Sequence, residues 1–379
     1  MRILITGSNG FIGKNLASHL NMKEGVDIFH FNRGDCFDSL NFSLEEIDLI
    51  FHFAGENRPN SFDDFNINNA VLTKKLCDEL QKIQKCIPII FSSTNHVLSL
   101  DDKSVSGIIR AYGKSKLSAE SILIEYAKNT GASVVIYRFP GIFGKWCKPN
   151  YNSVVATFCH NIAHQTSIEI TDPNKVIKLV YVDDVISDFF VFLEKMPTGI
   201  SFKRIQPEYA ISLGDLANVI TNFKKSRKEL HTEAVGVGFM RALYATYISY
   251  LPKEEFSYDL EYFEDKRGVF VEMLKTQDSG QISYFTAKTG VTRGGHFHHS
   301  KIEKFLVVQG EALFRFRHII SNDYFEITVK ADQPKIVETI PGWTHDITNI
   351  GSNELISLLW ANEVFDSDRP DTVFERVVN

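Results

Sequence analysis

The chain has 379 residues, 44% of them hydrophobic and 23% charged, with a net charge of −6. That length accommodates two domains with real cores. The composition excludes long disorder, and the mild negative balance argues against nucleic acid or anionic membranes as partners. Five cysteines, at 36, 77, 86, 147 and 159, form no CxxC and are odd in number, which points to a reducing compartment. An apolar strand already begins at Ile3, leaving no space for a signal peptide. No apolar run reaches the roughly 20 residues of a membrane span, so a soluble cytoplasmic protein is expected.

In chain order, the first 140 residues alternate short apolar runs with helical spacing. The runs are Ile3–Ile5, Ile28–Phe31, Leu49–Phe53, Ile89–Phe91 and Val134–Phe139; the helical stretches are Lys14–Leu20, Asn68–Lys82 and Ala111–Ala127. Continuous apolar runs belong to strands covered on both faces, and a βαβα alternation implies a doubly wound parallel sheet. Further on, Ser212-x-x-Asp215 opens a helix, and Lys224–Tyr250 is expected to be helical, with Tyr244, Tyr247 and Tyr250 free to pack on either domain. After Leu251-Pro252 the pattern becomes all-β: Gln281–Ala287, Lys304–Val308, Ala312–Phe316, Tyr324–Val329, Lys335–Thr339 and Leu355–Trp360. The expected domains are therefore 1–250 and 251–379.

Thr6-Gly-Ser-Asn-Gly-Phe-Ile-Gly13 follows the first strand and opens a helix. Gly7 permits the tight turn, Gly10 lets backbone N–H groups approach a pyrophosphate, and Gly13 lets helix and strand pack closely. Candidate dinucleotide contacts are thus Gly7, Asn9, Gly10, Phe11, Ile12 and Gly13, at a helix N-terminus that favours negative charge. The second strand ends at Asn32-Arg33, where an NAD site would carry an acidic residue. A neutral Asn32 and the guanidinium of Arg33 favour NADPH, with Arg33 pairing the 2′-phosphate.

Tyr112 and Lys116 stand four apart on a predicted helix and share a face. Beside a nicotinamide, Lys116 would lower the Tyr112 pKa, and Tyr112 would give a proton to a carbonyl oxygen as hydride arrives. Thr94, at the end of Phe91-Ser-Ser-Thr94, is the third group, with Ser93 as the alternative. These pieces, with His52-Phe-Ala-Gly55, Arg138-Phe-Pro-Gly-Ile-Phe-Gly144 and Tyr181-Val-Asp-Asp184, resemble the extended short-chain dehydrogenase/reductases over residues 1 to about 245. The resemblance implies a Rossmann-like fold, nucleotide-sugar substrates, the catalytic set Thr94, Tyr112 and Lys116, and Phe53, Ala54 and Pro140 along the cofactor. Arg138 is either a substrate contact or a structural arginine.

In the all-β portion, Gly290-x5-His296-x-His298-x4-Glu303-x6-Gly310 is followed by Pro341-Gly-x2-His345-x3-Asn349. His296 and His298 alternate by two and face one side of a strand. Three imidazoles and a carboxylate suit a divalent metal, zinc first among Zn, Fe, Mn, Ni and Co. The spacing resembles both cupin motifs, with Ile340 where a proline is usual. Asp265–Glu272 and Gly290–His296 also resemble the dTDP-4-dehydrorhamnose 3,5-epimerase family, where the corresponding histidine resembles a base. The complete spacing favours His296 as ligand, and leaves His299, Lys301, Tyr284 and Arg293 as candidates for the base.

A 4-keto sugar joins the two chemistries, because its carbonyl acidifies C3 for epimerisation and accepts hydride at C4. The metal either polarises that ketone or holds the fold together. The domain order is similar to that of CapF-type capsular polysaccharide biosynthesis enzymes over essentially the whole chain. That resemblance implies a UDP-linked 4-keto-6-deoxy amino sugar as substrate and a product UDP-2-acetamido-2,6-dideoxy-L-talose on the way to UDP-N-acetyl-L-fucosamine; because extended reductases often pair through helices and cupins through strands, a homodimer is expected. Lys145-Trp-Cys-Lys-Pro-Asn150 either touches the nucleotide or is a surface loop. The competing readings are a reductase or dehydratase with a purely structural cupin, and a non-enzymatic NADP(H) or sugar sensor.

Overall fold

The computed structural model describes residues 1–37, 43–59, 61–102, 106–260, 262–265, 268–271, 274–276, 280–363 and 368–378. Within the Asp265–Glu272 stretch, Lys266, Arg267 and Glu272 lie outside the described residues. Two compact units emerge, Met1–Ser153 with Ile177–Ala210, and Val154–Val176 with Ile211–Asn379.

In the first unit, β1 (Arg2–Thr6), α1 (Phe11–Leu20), β2 (Asp27–Phe31) and β3 (Leu49–His52) open the chain. A short α2 (Phe62–Phe65) runs through a π-helical turn, Asn66–Val71, into α3 (Leu72–Lys82). Then come β4 (Ile89–Thr94), α4 (Gly107–Thr130) and β5 (Val134–Phe139). All strands are parallel in the order β2-β1-β3-β4-β5, with Ile200–Lys203 beside β5. Leu4, Ile50, Ile89, Phe91 and Val134 pack on Leu76, Leu80 and Leu123, while Ile3, Ile5, Phe51, Ile90 and Tyr137 pack on Leu16, Ile186 and Phe189. Both faces of the sheet are covered, which is why its strands read as unbroken apolar runs rather than alternating ones. The chain turns from β1 to β2 on one side and onward from β3 on the other. The carboxyl ends of β1 and β3 therefore flank the switch point at which such sheets bind ligands.

The second unit carries two five-stranded sheets whose ladders are antiparallel. One runs Ser257–Asp259, Lys335–Glu338, Glu303–Gln309, Leu355–Ala361, Gln281–Ala287; the other runs Tyr324–Lys330, Glu311–His318, Trp343–Asn349, Thr292–Phe297, Val373–Phe374. The α/β and all-β portions follow each other as the sequence patterns predict. One expectation fails. Lys224–Tyr250 is not one helix: Leu213–Glu229 ends where Leu230 turns left-handed at φ 56°, and a new helix runs over Gly238–Ile248. Gly236 and Gly238 interrupt the spacing there. A β-carbon at Gly236 would meet Asn362 O at 2.9 Å, so backbone must pass close.

Ser212 caps Leu213–Glu229 as its spacing implies, its Oγ accepting the Asp215 N–H at 3.0 Å. Tyr244 and Tyr247 are buried against Phe223 of that helix. Glu338, with no exposure, holds Lys304 at 2.7 Å and also pairs with Arg227 of the helix, so three buried charges join helix to sheet. Among the described residues, no helix is long and apolar enough to cross a membrane.

Candidate functional site

The turn after β1 is built for close backbone approach. Gly7 sits at φ +72°, and a β-carbon there would meet Ala54 N at 2.7 Å. One at Gly13 would lie 2.4 Å from Gly7 O. The Gly7 carbonyl accepts the Gly10 N–H at 2.9 Å, and Lys14 N–H donates to Gly10 O at 2.9 Å. The N–H groups of Phe11, Ile12 and Gly13 precede that first helical bond and have no partner within the helix. This cradle and its helix dipole suit a pyrophosphate. Thr6 Oγ1 accepts the Ala54 N–H at 3.1 Å and pairs with His52 Nδ1 at 2.7 Å, while His52 Nε2 meets Thr73 Oγ1 at 2.8 Å. Burial holds His52 neutral, its pKa lowered to about 3. Phe53 and Ala54 thus stand at the turn because a buried polar chain ties β1, β3 and α3 together.

Asn32 faces inward. Its Oδ1 accepts the Asn9 N–H at 2.9 Å, and its amide nitrogen lies 2.9 Å from Ser8 Oγ, so it braces the turn. Arg33 projects outward, its side chain 80% exposed, and is pinned by Glu56 at 2.5 Å. The other Glu56 oxygen accepts the N–H groups of Asn57 and Arg58 at 3.0 and 2.9 Å. Pro140 lies just beyond β5.

Tyr112 and Lys116 both lie on α4, whose N-cap is Ser106. Tyr112 packs between Phe65 and His96, with ring centroids 5.7 and 6.3 Å away. Lys116 is buried, donates to Ser92 O at 2.7 Å and lies 4.6 Å over the Phe91 ring. Burial lowers its pKa to about 8, opposed by Glu120. Burial also pushes the Tyr112 hydroxyl up to about 12, the reverse of the lowering expected from its neighbour. Desolvation is the one cause of that rise. At neutral pH Tyr112 is therefore a proton donor.

Thr94 and Ser93 are told apart by their partners. Ser93 Oγ donates to Glu120, which Arg138 grips through Nε at 3.0 Å and Nη2 at 2.6 Å. Ser93 and Arg138 are thus committed to a buried carboxylate. Thr94 caps the following turn, its Oγ1 accepting His96 N–H at 3.3 Å, and its hydroxyl proton is not used in that bond. Lys145 is also structural: buried, it lies 2.7 Å from Asp183 Oδ1. Sequence reading missed Asn69. From the π-helical turn its amide donates to Glu56 O at 3.0 Å and Ser115 Oγ at 2.9 Å, and its Oδ1 accepts Glu56 N–H at 2.9 Å. It joins the β3 loop to the helix bearing Tyr112 and Lys116. A π-turn is the structural signal, but no sequence pattern announces one.

In the second unit, His296, His298, Glu303 and His345 converge, each offering one atom within 4.8 Å of the others. Strand pairing sets His296 opposite His345, and a bulge at Gly294–Gly295, both at positive φ, aims the His296 side chain. Glu303 Oε2 lies 3.2 Å from His298 Nε2 and 3.7 Å from His345 Nε2. Both ring nitrogens of His345 are buried without a hydrogen-bond partner among the described residues. An orphaned imidazole beside a carboxylate is what a cation would satisfy. Burial and the neighbouring imidazoles lower His296 to about 3, and burial lowers His345. Burial works against ionised Glu303, yet the adjacent His298 and His345 hold it well below the usual carboxylate range. Neutral imidazoles and an ionised carboxylate are the ligating forms.

The candidate bases are dispersed. Lys301 Nζ lies 3.0 Å from Glu303 Oε1, whereas His299 is buried edge-on to Phe297. Tyr284 is 68% exposed, and Arg293 donates to Thr286 O at 3.2 Å.

Residues 3–206 match the NAD dependent epimerase/dehydratase family, and residues 263–373 match the polysaccharide biosynthesis C-terminal domain. The chain is 46% identical over 373 residues, 98% of each partner, to UDP-2-acetamido-2,6-beta-L-arabino-hexul-4-ose reductase of Pseudomonas aeruginosa. Its structure resembles that of the capsular polysaccharide assembling protein CapF of Staphylococcus aureus, with a TM-score of 0.66, 39% identity and all of both chains covered. A Bacillus cereus UDP-glucuronic acid 4-epimerase shares the fold over 59% of this chain and 83% of its own, at 21% identity and a TM-score of 0.52.

Proposed function

The chain belongs to the NAD dependent epimerase/dehydratase family and is CapF-like over its whole length, and from that premise we propose a bifunctional nucleotide-sugar enzyme with a reductase domain, 1–250, and a cupin domain, 251–379. The substrate is a UDP-linked 2-acetamido-2,6-dideoxy-4-keto-hexose. The cupin epimerises C3, and the reductase transfers hydride from NADPH to C4, giving UDP-2-acetamido-2,6-dideoxy-L-talose for capsule synthesis in the cytoplasm.

The observation that carries the reading is a protonated, half-buried Tyr112 on the same helix as the Lys116 ammonium, near the carboxyl end of β4. Bound at the glycine turn, NADPH supplies the hydride. Phe11, Ile12 and Gly13 N–H groups hold its pyrophosphate, and Arg33 its 2′-phosphate. Thr94 orients the sugar carbonyl oxygen and Tyr112 gives it the proton. Lys116 then stabilises the tyrosinate left behind.

In the cupin, His296, His298, Glu303 and His345 hold a divalent metal, zinc first. When bound, such an ion supplies Lewis acidity for an enolate or fixes the fold. Lys301 is the candidate base that touches this tetrad. The enzyme works as a homodimer.

Incubation of the 4-keto UDP-sugar in D2O without NADPH tests the epimerase; deuterium at C3 is expected, and none removes the assignment. Loss of C3 exchange in Glu303→Ala, with reduction of a pre-epimerised substrate retained, would separate catalysis from a purely structural role.

A further inference from the structure

The end of the chain closes on the loop His298–Ile302, which joins the strand of His296 to the strand of Glu303. Asp371 Oδ1 accepts the His299 N–H at 2.8 Å. Its Oδ2 accepts the N–H groups of Ser300 and Lys301 at 2.7 and 2.8 Å and the Ser300 hydroxyl at 2.9 Å. Three successive N–H groups thus converge on one carboxylate, as in an anion nest. The Asp371 carbonyl meets His298 Nδ1 at 2.5 Å. A carbonyl only accepts, so Nδ1 donates to it, and Nε2 is the ring atom aimed at Glu303, 3.2 Å from Oε2.

The segment continues along the other ligands. Thr372 Oγ1 lies 3.4 Å from Lys301 Nζ. Phe374 pairs with His296, Glu375 N–H donates to Gly295 O at 2.9 Å, and Thr344, next to His345, donates its hydroxyl to Glu375 O.

We propose that Asp371 is a positioning residue for the metal tetrad and that the terminal segment through Glu375 is its clasp. The clasp fixes the tautomer and direction of His298 and the span from His298 to Glu303. Metal binding and clasp docking are therefore linked. This inference rests on the metal reading above. It adds a residue that lies outside both ligand motifs and touches no ligand atom with its carboxylate. Partners of ligating imidazoles commonly govern metal affinity by about 10–100-fold.

The test uses full-length wild type, Asp371→Asn and Asp371→Glu. Zinc affinity is read by competition with a chromophoric chelator, ligand geometry by the visible bands of the cobalt-loaded chain, and folding by melting in EDTA. Asp371→Asn is expected to weaken zinc binding about 10–100-fold and to shift the cobalt bands. Asp371→Glu, which keeps the carboxylate on a longer arm, falls between. Wild-type affinity and wild-type bands in the variants, with only a lower melting temperature, overturn the proposal. If Asp371→Asn does not fold, Asp371→Glu decides alone by the same two readouts. A wild-type chain that takes up neither zinc nor cobalt overturns the metal reading itself, and the clasp with it.

Discussion

The α/β site and the all-β site solve opposite electrostatic problems. On α4, burial works against charge: it raises Tyr112 to about 12 and lowers Lys116 to about 8. In the all-β unit, burial and mutual proximity hold His345 and His296 neutral, while the adjacent His298 and His345 keep Glu303 ionised. The first site keeps a proton ready to give. The second keeps lone pairs ready to donate. A desolvated phenol is an acid awaiting an oxygen that becomes basic, whereas neutral His296 and His345 beside a carboxylate await a cation.

The largest effect that would sharpen this contrast is confined to one side. Tyr112→Phe should lower NADPH oxidation with the 4-keto sugar by about 10²–10⁴-fold, leaving C3 exchange in D2O intact. Equal loss of both reactions would break the separation. Next is Glu338→Ala, which strands Arg227 and Lys304 in the interior; urea titration should show a loss of about 3–5 kcal/mol. Unchanged stability would remove the charge triad as the tie between helix Leu213–Glu229 and its sheet. Arg33→Ala should raise the KM for NADPH by about 10-fold and leave that for NADH nearly unchanged. Parallel changes would remove Arg33 from the 2′-phosphate.

The smallest effect is a pH limb. Lys116 loses its ammonium in the folded chain as pH rises through about 8, below its ordinary value of 10.5. Reduction, read as kcat/KM, should fall above that pH, while Tyr112 stays protonated because its own value lies higher. A profile flat to pH 10 would contradict the assignment.

The sheet was legible because both its faces are buried, so Ile3–Ile5 and Ile89–Phe91 announce strands by composition alone. The glycine turn was legible because Gly7 and Gly13 have no space for a β-carbon. Tyr112 with Lys116 was legible because the pair follows the helix period, and the three histidines with Glu303 because their spacing resembles the two cupin motifs. What escaped is the support. Asn69 acts from a π-turn, Glu120 through Arg138 across the sheet, and Asp371 from the chain's far end. These contacts span 18 to 70 residues with no repeat to mark them. The break at Leu230 escaped for a related reason: the strand His231–Thr232 and the close passage at Gly236 are tertiary demands that override a helical pattern.

The most direct test of two chemistries on one chain is the proton spectrum of the product formed in D2O with unlabelled NADPH. The account predicts deuterium at C3, from solvent, and protium at C4, from the nicotinamide. Protium at both positions, or deuterium at C4, would contradict it.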